Sequence, residues 1–289
     1  MPSSIDDVRN LVAERIRTSV VGPPDHAAAR HAALFESGGE RWFAEDAAIR
    51  TVHGDSSMFV GGLRAILLQS LHPLAMAGVA EHSDYRHDPW GRLQRTADFL
   101  ASTTFGPAEE AERAVAVVRS VHERVVGTTA DGRRYAANDP HLLRWVHLAE
   151  IDSFLAAHDR YGAEPLDREG RDAYVRDAAV VARALGVPAP PESVQALRDQ
   201  LRMMRPELAS SPAARDAARY LLLRPPMPVA VRPFYGVLAA AAVALLPRWA
   251  RAPLRLPYLP LAETVLVRPA GDGITRALRW ALRPDEAPG

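Results

Sequence analysis

The chain has 289 residues, of which 48% are hydrophobic and 24% charged, a composition ordinary for a globular protein and enough for one large or two small domains. Thirty-five basic residues balance 35 acidic ones, so charge gives no argument for a nucleic-acid or anionic-membrane partner. All the basic residues are arginine and cysteine is absent. This excludes lysine Schiff bases, the Walker-A lysine, thiol catalysis, disulfides and covalently attached c-type haem.

The first residues, MPSSIDDVRNLVAERIR, are acidic and helix-like, and they lack the apolar core of a signal peptide. The most apolar segment, 233–247, is too short to cross a bilayer and is flanked by arginines. We therefore expect a cytoplasmic protein without a transmembrane span.

Helical periodicity dominates the chain. It predicts a helix at 4–20, a short one at 40–53, and an apolar helix of about five turns at 61–83 that Pro73 should kink. Further helices are predicted at 91–106, 108–126, 139–162, 166–186, 190–203, 211–223, 233–249 and 273–282, with a turn-rich connector at 128–140 that is compatible with a small hairpin. Because no repeat or interdomain linker is visible, we predict a single all-α domain over residues 1–289.

A histidine interrupts an apolar helix face in the stretch AVAVVRSVHERVVG. His122 shares a stripe, at helical spacing, with Ala111, Val115, Val118 and Val125. A histidine at such a position is either hydrogen-bonded within the core or a ligand of a metal or cofactor. The position alone leaves both interpretations open.

The stretch RLQRTADFL places Arg92, Arg95, Thr96 and Phe99 on one helix face. Two arginines and a hydroxyl beside an aromatic ring form a surface that can bind an anion such as a propionate. A solvated arginine face is the alternative interpretation. The adjacent face carries Leu93, Ala97 and Leu100, which form the expected packing stripe.

His72 precedes Pro73 within the apolar run. We expect its imidazole to be buried and hydrogen-bonded to a carbonyl that the proline leaves without a donor.

A different metal site is suggested by the sequence RHDP. His87 and Asp88 are adjacent, as in the all-α His/Asp phosphohydrolases, and His53 and Asp152 could complete a set of ligands. However, Pro89 places the pair in a turn, whereas that chemistry needs a rigid helix. The sequence contains no H-E-x-x-H, phosphate loop, G-x-G-x-x-G or G-x-S-x-G motif.

The stretch LLQSLHPLAMAGVAEHSDYRHDPWGRLQRTADFLASTTFG resembles the signature region of the MpaB-type oxygenase family, which includes the catalytic domain of the rubber oxygenases (latex clearing proteins). The similarity continues through VHERVVG and GRRYAANDPHLLRWVHLAEIDSFLAAHDRYG. It covers approximately residues 40–250. The combination over that span is more specific than any one motif.

This resemblance implies an all-helical fold that holds a non-covalent b-type haem, with His122 as the proximal ligand of the iron. Arg92 and Thr96 match the family's arginine and threonine, which implies that they hold propionates or shape the distal side. We place His72 among the cofactor-binding residues as well. The rubber oxygenases have a lysine where this chain has Arg95, which keeps its proton and is a poor iron ligand.

On this resemblance Arg95 and Thr96 are the expected catalytic residues, with Arg95 as a distal hydrogen-bond donor. The rubber oxygenases also use a glutamate near the haem, but the predicted helix at 63–79 contains no carboxylate, and Glu81 is the first one available.

The sequence therefore favours a haem b-dependent oxygenase that uses O₂ on a small apolar substrate, isoprenoid or otherwise unsaturated. Two alternatives remain. The first is a non-catalytic helical protein that binds haem or a lipid, and the second is the His/Asp metal-dependent phosphohydrolase.

Overall fold

The computed structural model describes residues 32–83, 88–225, 227 and 229–282. These residues form thirteen α-helices and two short strands, which confirms the all-α prediction. The predicted helix at 4–20 lies outside the described residues.

The helices are α1 Ala48–Gly54, α2 Met58–Gln69, α3 Pro73–His82, α4 Pro89–Phe105, α5 Ala108–Arg124, α6 Pro140–Tyr161, α7 Arg168–Leu185, α8 Val194–Met204, α9 Pro212–Leu223, α10 Arg232–Leu245, α11 Arg248–Arg251, α12 Pro260–Ala262 and α13 Arg268–Leu282. The strands are β1 Val126–Thr128 and β2 Arg134–Ala136. Shorter turns of helix lie at Ala32–Glu36, Arg205–Glu207, Val229–Val231 and Glu263–Val267.

Several helices begin at a short polar side chain that accepts a hydrogen bond from a backbone N–H group of the first turn. The side chains that cap helix N-termini in this way are Asp88, Asp139, Asp167, Ser193 and Ser211. Helix α7 ends at Gly186, whose φ of 97° is the left-handed conformation that glycine adopts at helix C-termini. The boundaries are thus set by local chemistry, and most lie within a few residues of those predicted.

Helix α6 is the centre of the fold. Its residues Trp145, Leu148 and Ala149 are completely buried. It packs along α2 and also contacts α1, α3, α7, α8, α10 and α13. The core around it is one cluster of buried side chains that extends from Phe43 to Leu254, with a smaller cluster beside it. The helices that carry the candidate functional residues therefore pack either against α6 or against a helix that contacts α6.

The predicted helix at 61–83 is broken rather than kinked. Helices α2 and α3 meet at an angle of 107°. His72, the residue before Pro73, is extended at φ −85° and ψ 114°, because the proline ring disfavours helical geometry at the preceding residue. Pro73 then occupies the first turn of α3, where its missing N–H costs nothing. The prediction of one continuous helix was wrong for this reason.

Proline also divides the predicted helix at 233–249. Helix α10 ends at Leu245, and α11 begins after Pro247. The connector at 128–140 does contain a hairpin, in which β1 and β2 pair antiparallel with Val126 opposite Ala136.

No single helix in the part of the chain that the structure describes is long and apolar enough to span a membrane. Helices α2 and α3 pass that test only as a pair, by length and composition, and they are sharply bent against each other.

Candidate functional site

Helices α4 and α5 form a pair that is joined by Gly106 and Pro107 and packed face to face. Arg92 lies thirteen residues before the last residue of α4, and His122 lies fourteen residues after the first residue of α5. Because a helix rises by a constant amount per residue, both side chains belong to the end of the pair remote from the connecting turn. Two of the residues expected at the haem are therefore carried by neighbouring helices.

His122 lies on the inward face of α5, as the spacing predicts. Ala111 and Val115 on that face are buried, whereas Val118, His122 and Val125 are half-buried. No described residue forms a hydrogen bond with the His122 ring. Burial lowers the pKa of His122, so its imidazole is neutral at pH 7 and one ring nitrogen carries a free lone pair.

This state of His122 fits a haem ligand. His122 is half-buried, and its ring nitrogens are not among the buried polar atoms that lack a partner, so a ligand can reach them from solvent. A neutral imidazole with an unoccupied nitrogen is the donor that haem iron takes as a proximal ligand.

The polar face of α4 is only partly turned inward. Arg92 is half-buried, and its Nη1 donates to Ser83 Oγ at 2.6 Å. Arg95 is 69% exposed and forms a 3.2 Å ion pair with Asp88. Thr96 is exposed, and its hydroxyl donates to the Arg92 carbonyl within the same helix. Of the three expected polar residues on this face, Arg92 is the one held in a partly buried position.

The packing stripe expected on the other face of α4 is incomplete. Leu100 packs against the main core, but Leu93 is 38% exposed. The first half of α4 is thus less enclosed than its hydrophobic pattern predicts.

His72 is buried, as expected, but it lacks the expected hydrogen bond. Neither ring nitrogen has a hydrogen-bond partner among the described residues. The ring lies near those of His141 and Trp145, and its Nε2 is 3.8 Å from Glu207 Oε2. None of these neighbours belongs to α4 or α5, so the contacts of His72 differ from those of Arg92 and His122.

The residues of the phosphohydrolase hypothesis do not meet among the described residues. His87 lies outside the described residues, and Asp88 caps α4 by accepting from the Gly91 N–H. His53 hydrogen-bonds Thr104, whereas Asp152 pairs with Arg64. Within the described ranges, the one group of histidine and acidic side chains close enough to share a metal ion is His72, His141 and Glu207.

The sequence patterns did not reveal a set of half-buried titratable side chains on α1 and α6. His53 contacts the rings of Phe154 and Tyr174, and burial lowers the pKa of His53 to about 3. On α6, burial lowers the pKa of His147 to about 4 and raises the pKa of Glu150 to about 7. The signal in the sequence was LLRWVHLAE, which places a histidine and a glutamate three residues apart on one face of an apolar helix.

His147 and Glu150 are half-buried, so each keeps some surface that a water molecule can reach. Burial nonetheless shifts both pKa values strongly, because it disfavours the charged form of each group.

The described residues also form two surface grooves, and His122 lines neither of them. One, of about 430 Å³, lies between α5 and α7 and is lined by Glu112, Val115 and Arg119 among others. The other, of about 380 Å³, lies beside Arg64 and Asp152.

The fold and the site define an all-helical protein with a half-buried histidine on the apolar face of α5, for which no described residue is a hydrogen-bond partner. Comparison with protein families gives the class. The model described as "ER-bound oxygenase mpaB/B'/Rubber oxygenase, catalytic domain" matches residues 50–283. The chain therefore belongs to this family of oxygenase catalytic domains, which confirms the resemblance seen in the sequence. Neither the curated proteins nor the solved structures that were compared contain a match.

Proposed function

We propose that the chain is a haem b-dependent oxygenase that uses O₂ to oxidise or cleave an apolar substrate, isoprenoid or otherwise unsaturated. The observation that carries the proposal is the imidazole of His122, which is half-buried, neutral and without a hydrogen-bond partner among the described residues. Membership of an oxygenase family supports the reaction class. The rubber oxygenases named in the family description act on a hydrocarbon, and they are the basis for the apolar substrate.

His122 would hold the cofactor through its free ring nitrogen, and the valines of the same stripe would exclude water from that side. Haem, when bound, supplies the activation of O₂. Arg92 places a permanent positive charge at a half-buried position, which suits the carboxylate of a propionate. Ser83 fixes the direction of the Arg92 guanidinium by accepting from its Nη1.

Arg95 and Thr96 are proposed to act at the mouth of this site. The guanidinium of Arg95 has hydrogen-bond donors and no acceptor, so it can only donate. The Thr96 hydroxyl already donates to the Arg92 carbonyl, and its oxygen can still accept. Both side chains are exposed, so a substrate reaching the site would meet them first.

Glu150 offers the carboxylate that the helix before Pro73 lacks. With a pKa raised to about 7 by burial, it can hold a proton or release one near neutral pH. Its half-buried position on α6 would limit the exchange of that proton with bulk water.

The experiment is the optical spectrum of purified protein, with and without added haemin and before and after dithionite. The wild-type chain should show a Soret band, and His122→Ala should lose it. His141→Ala is a matched control, because it removes a histidine that contacts neither α4 nor α5 and should leave the band unchanged. Stoichiometric haem in His122→Ala would overturn the assignment of the ligand.

Oxygen consumption separates catalysis from mere binding. With haem bound, the oxygenase should consume O₂ when a short polyisoprene oligomer is added and should yield an oxidised product. Haem retention without oxygen consumption across apolar unsaturated substrates would favour the non-catalytic alternative.

A further inference from the structure

Three metal-ligating side chains converge at a place separate from the helix pair α4–α5. His72 comes from the corner between α2 and α3, His141 from the first turn of α6, and Glu207 from the turn of helix that follows α8. His141 Nε2 is 2.7 Å and His72 Nε2 is 3.8 Å from Glu207 Oε2. One ligand atom of each residue lies within 4.8 Å of the others.

The state of His72 is a second and independent observation. The residue is 3% exposed, yet both ring nitrogens lack a hydrogen-bond partner in the part of the chain that the structure describes. Leaving an imidazole buried and unpartnered is unfavourable, and a native fold normally avoids it. The Nε2 atom points toward the carboxylate of Glu207 at a distance too long for a hydrogen bond but suitable for two ligands of one ion.

We propose that His72, His141 and Glu207 bind a divalent transition-metal ion of the Zn²⁺ class. Two imidazole nitrogens and one carboxylate oxygen are a donor set that Zn²⁺ prefers, and three protein ligands leave the fourth position for water. Ligands bound to tetrahedral Zn²⁺ at about 2.0–2.1 Å lie roughly 3.3 Å apart. The two distances to Glu207 lie on either side of that value, so small side-chain movements suffice to close the site.

The surroundings allow a metal to enter and stay. The side chains of His141 and Glu207 are 44% and 47% exposed, which leaves a path from solvent. His72 forms the inner wall, together with the buried ring of Trp145. Burial is the main cause that lowers the pKa of His72, so the ring is neutral and able to coordinate at pH 7.

This assignment gives His72 a role other than the haem contact expected from the family resemblance. The site would connect three segments that are far apart in sequence. The Ala209 N–H donates to the Leu71 carbonyl at 2.8 Å, so the segments of His72 and Glu207, two of the three, are also joined by a backbone hydrogen bond. A bound metal would hold them together more firmly and stabilise the fold.

The test uses the untagged full chain, treated with chelator and then dialysed against Zn²⁺. Elemental analysis should find one Zn²⁺ per chain, and Zn²⁺ should raise the Tm. His141→Ala and Glu207→Gln should abolish both effects while the circular dichroism spectrum stays unchanged. Both residues are half exposed, so their substitution leaves the core intact, whereas His72→Gln serves as a third, more invasive variant.

His82→Gln is the matched control, since His82 lies outside the three-residue group and should leave Zn²⁺ binding unchanged. Substituting Co²⁺ gives a readout that does not depend on activity, because tetrahedral coordination by nitrogen and oxygen produces visible absorption bands. No binding of Zn²⁺ or Co²⁺ by the wild-type chain, or equal binding by His141→Ala, would overturn the proposal. The haem proposal is tested separately, since His122→Ala should keep Zn²⁺ and His141→Ala should keep haem.

Discussion

The guanidinium of Arg64 is buried against the carboxylate of Asp152, with Arg64 Nη2 2.7 Å from Asp152 Oδ2. The same guanidinium donates to Ser153 Oγ at 2.6 Å and to the Leu245 carbonyl at 3.0 Å, and thereby joins α2, α6 and α10. Each of the three nitrogens of this buried guanidinium donates to an oxygen on another helix. Asp152, a candidate metal ligand in the sequence, is therefore occupied in the structure by a structural ion pair.

Replacing Asp152 should destabilise the fold, because Arg64 would remain buried without its counter-charge. We expect Asp152→Asn to lower the free energy of unfolding by about 2 kcal/mol, as measured by urea denaturation. The control is Asp159→Asn on the same helix, where the partner Arg171 is 40% exposed and the loss should be below about 1 kcal/mol. Equal losses in the two variants would contradict the role of burial.

Two adjacent glycines of α2 should respond in opposite directions to the same substitution. A Cβ at Gly61 would lie 2.7 Å from Phe154 Cδ1 and 3.2 Å from the Phe154 Cα, because α2 and α6 are closely packed there. Gly61→Ala should cost about 1–3 kcal/mol of unfolding free energy. A Cβ at Gly62 would have no atom of a described residue within 4 Å, so Gly62→Ala should stabilise the helix by about 0.5–1 kcal/mol. The measurement is the thermal unfolding of both variants and the wild type under the same conditions. A Gly61→Ala variant more stable than the wild type would contradict the prediction and show that α2 and α6 can move apart.

The buried histidines should make the protein sensitive to acid. His53 has a pKa of about 3 in the fold against an ordinary 6.5, so below pH 6.5 the unfolded chain binds a proton that the folded chain does not. The free energy of unfolding should therefore fall as the pH is lowered from about 6.5. In His53→Gln this fall should be shallower between pH 6.5 and 5, as measured by urea titrations at several pH values. An unchanged slope would show that His53 is not responsible.

Glu150 should change the free energy of unfolding with pH in the direction opposite to His53. Its pKa is about 7 in the fold against an ordinary 4.5, so between these values the folded chain retains a proton that the unfolded chain has lost. Its contribution to stability should decline as the pH rises through 7. Glu150→Gln removes this dependence, so the variant should gain stability relative to the wild type between pH 5 and pH 8. A stability difference that is constant over that range would place Glu150 in contact with bulk water.

Much of the helical architecture could be predicted from local sequence signals. The helix predicted at 139–162 is found at Pro140–Tyr161, because Asp139 caps its first turn and a proline opens it. The prediction failed at residues 61–83, where the restriction that Pro73 imposes on His72 turned an expected kink into a sharp corner. The hydrophobic periodicity continues across residues 70–73, so it does not predict the break between α2 and α3.

The sequence by itself determined the all-α class, the family, and the inward direction of His122, since periodicity and motif spacing are local properties that short-range sterics and hydrogen bonding fix. Only the tertiary structure decided which polar groups meet. It paired Asp152 with Arg64 and His53 with Thr104, and it brought His141 and Glu207 together across 66 positions of the chain. Such contacts depend on how whole helices pack around α6, and the identity of a residue carries no information about a partner that packing alone brings near.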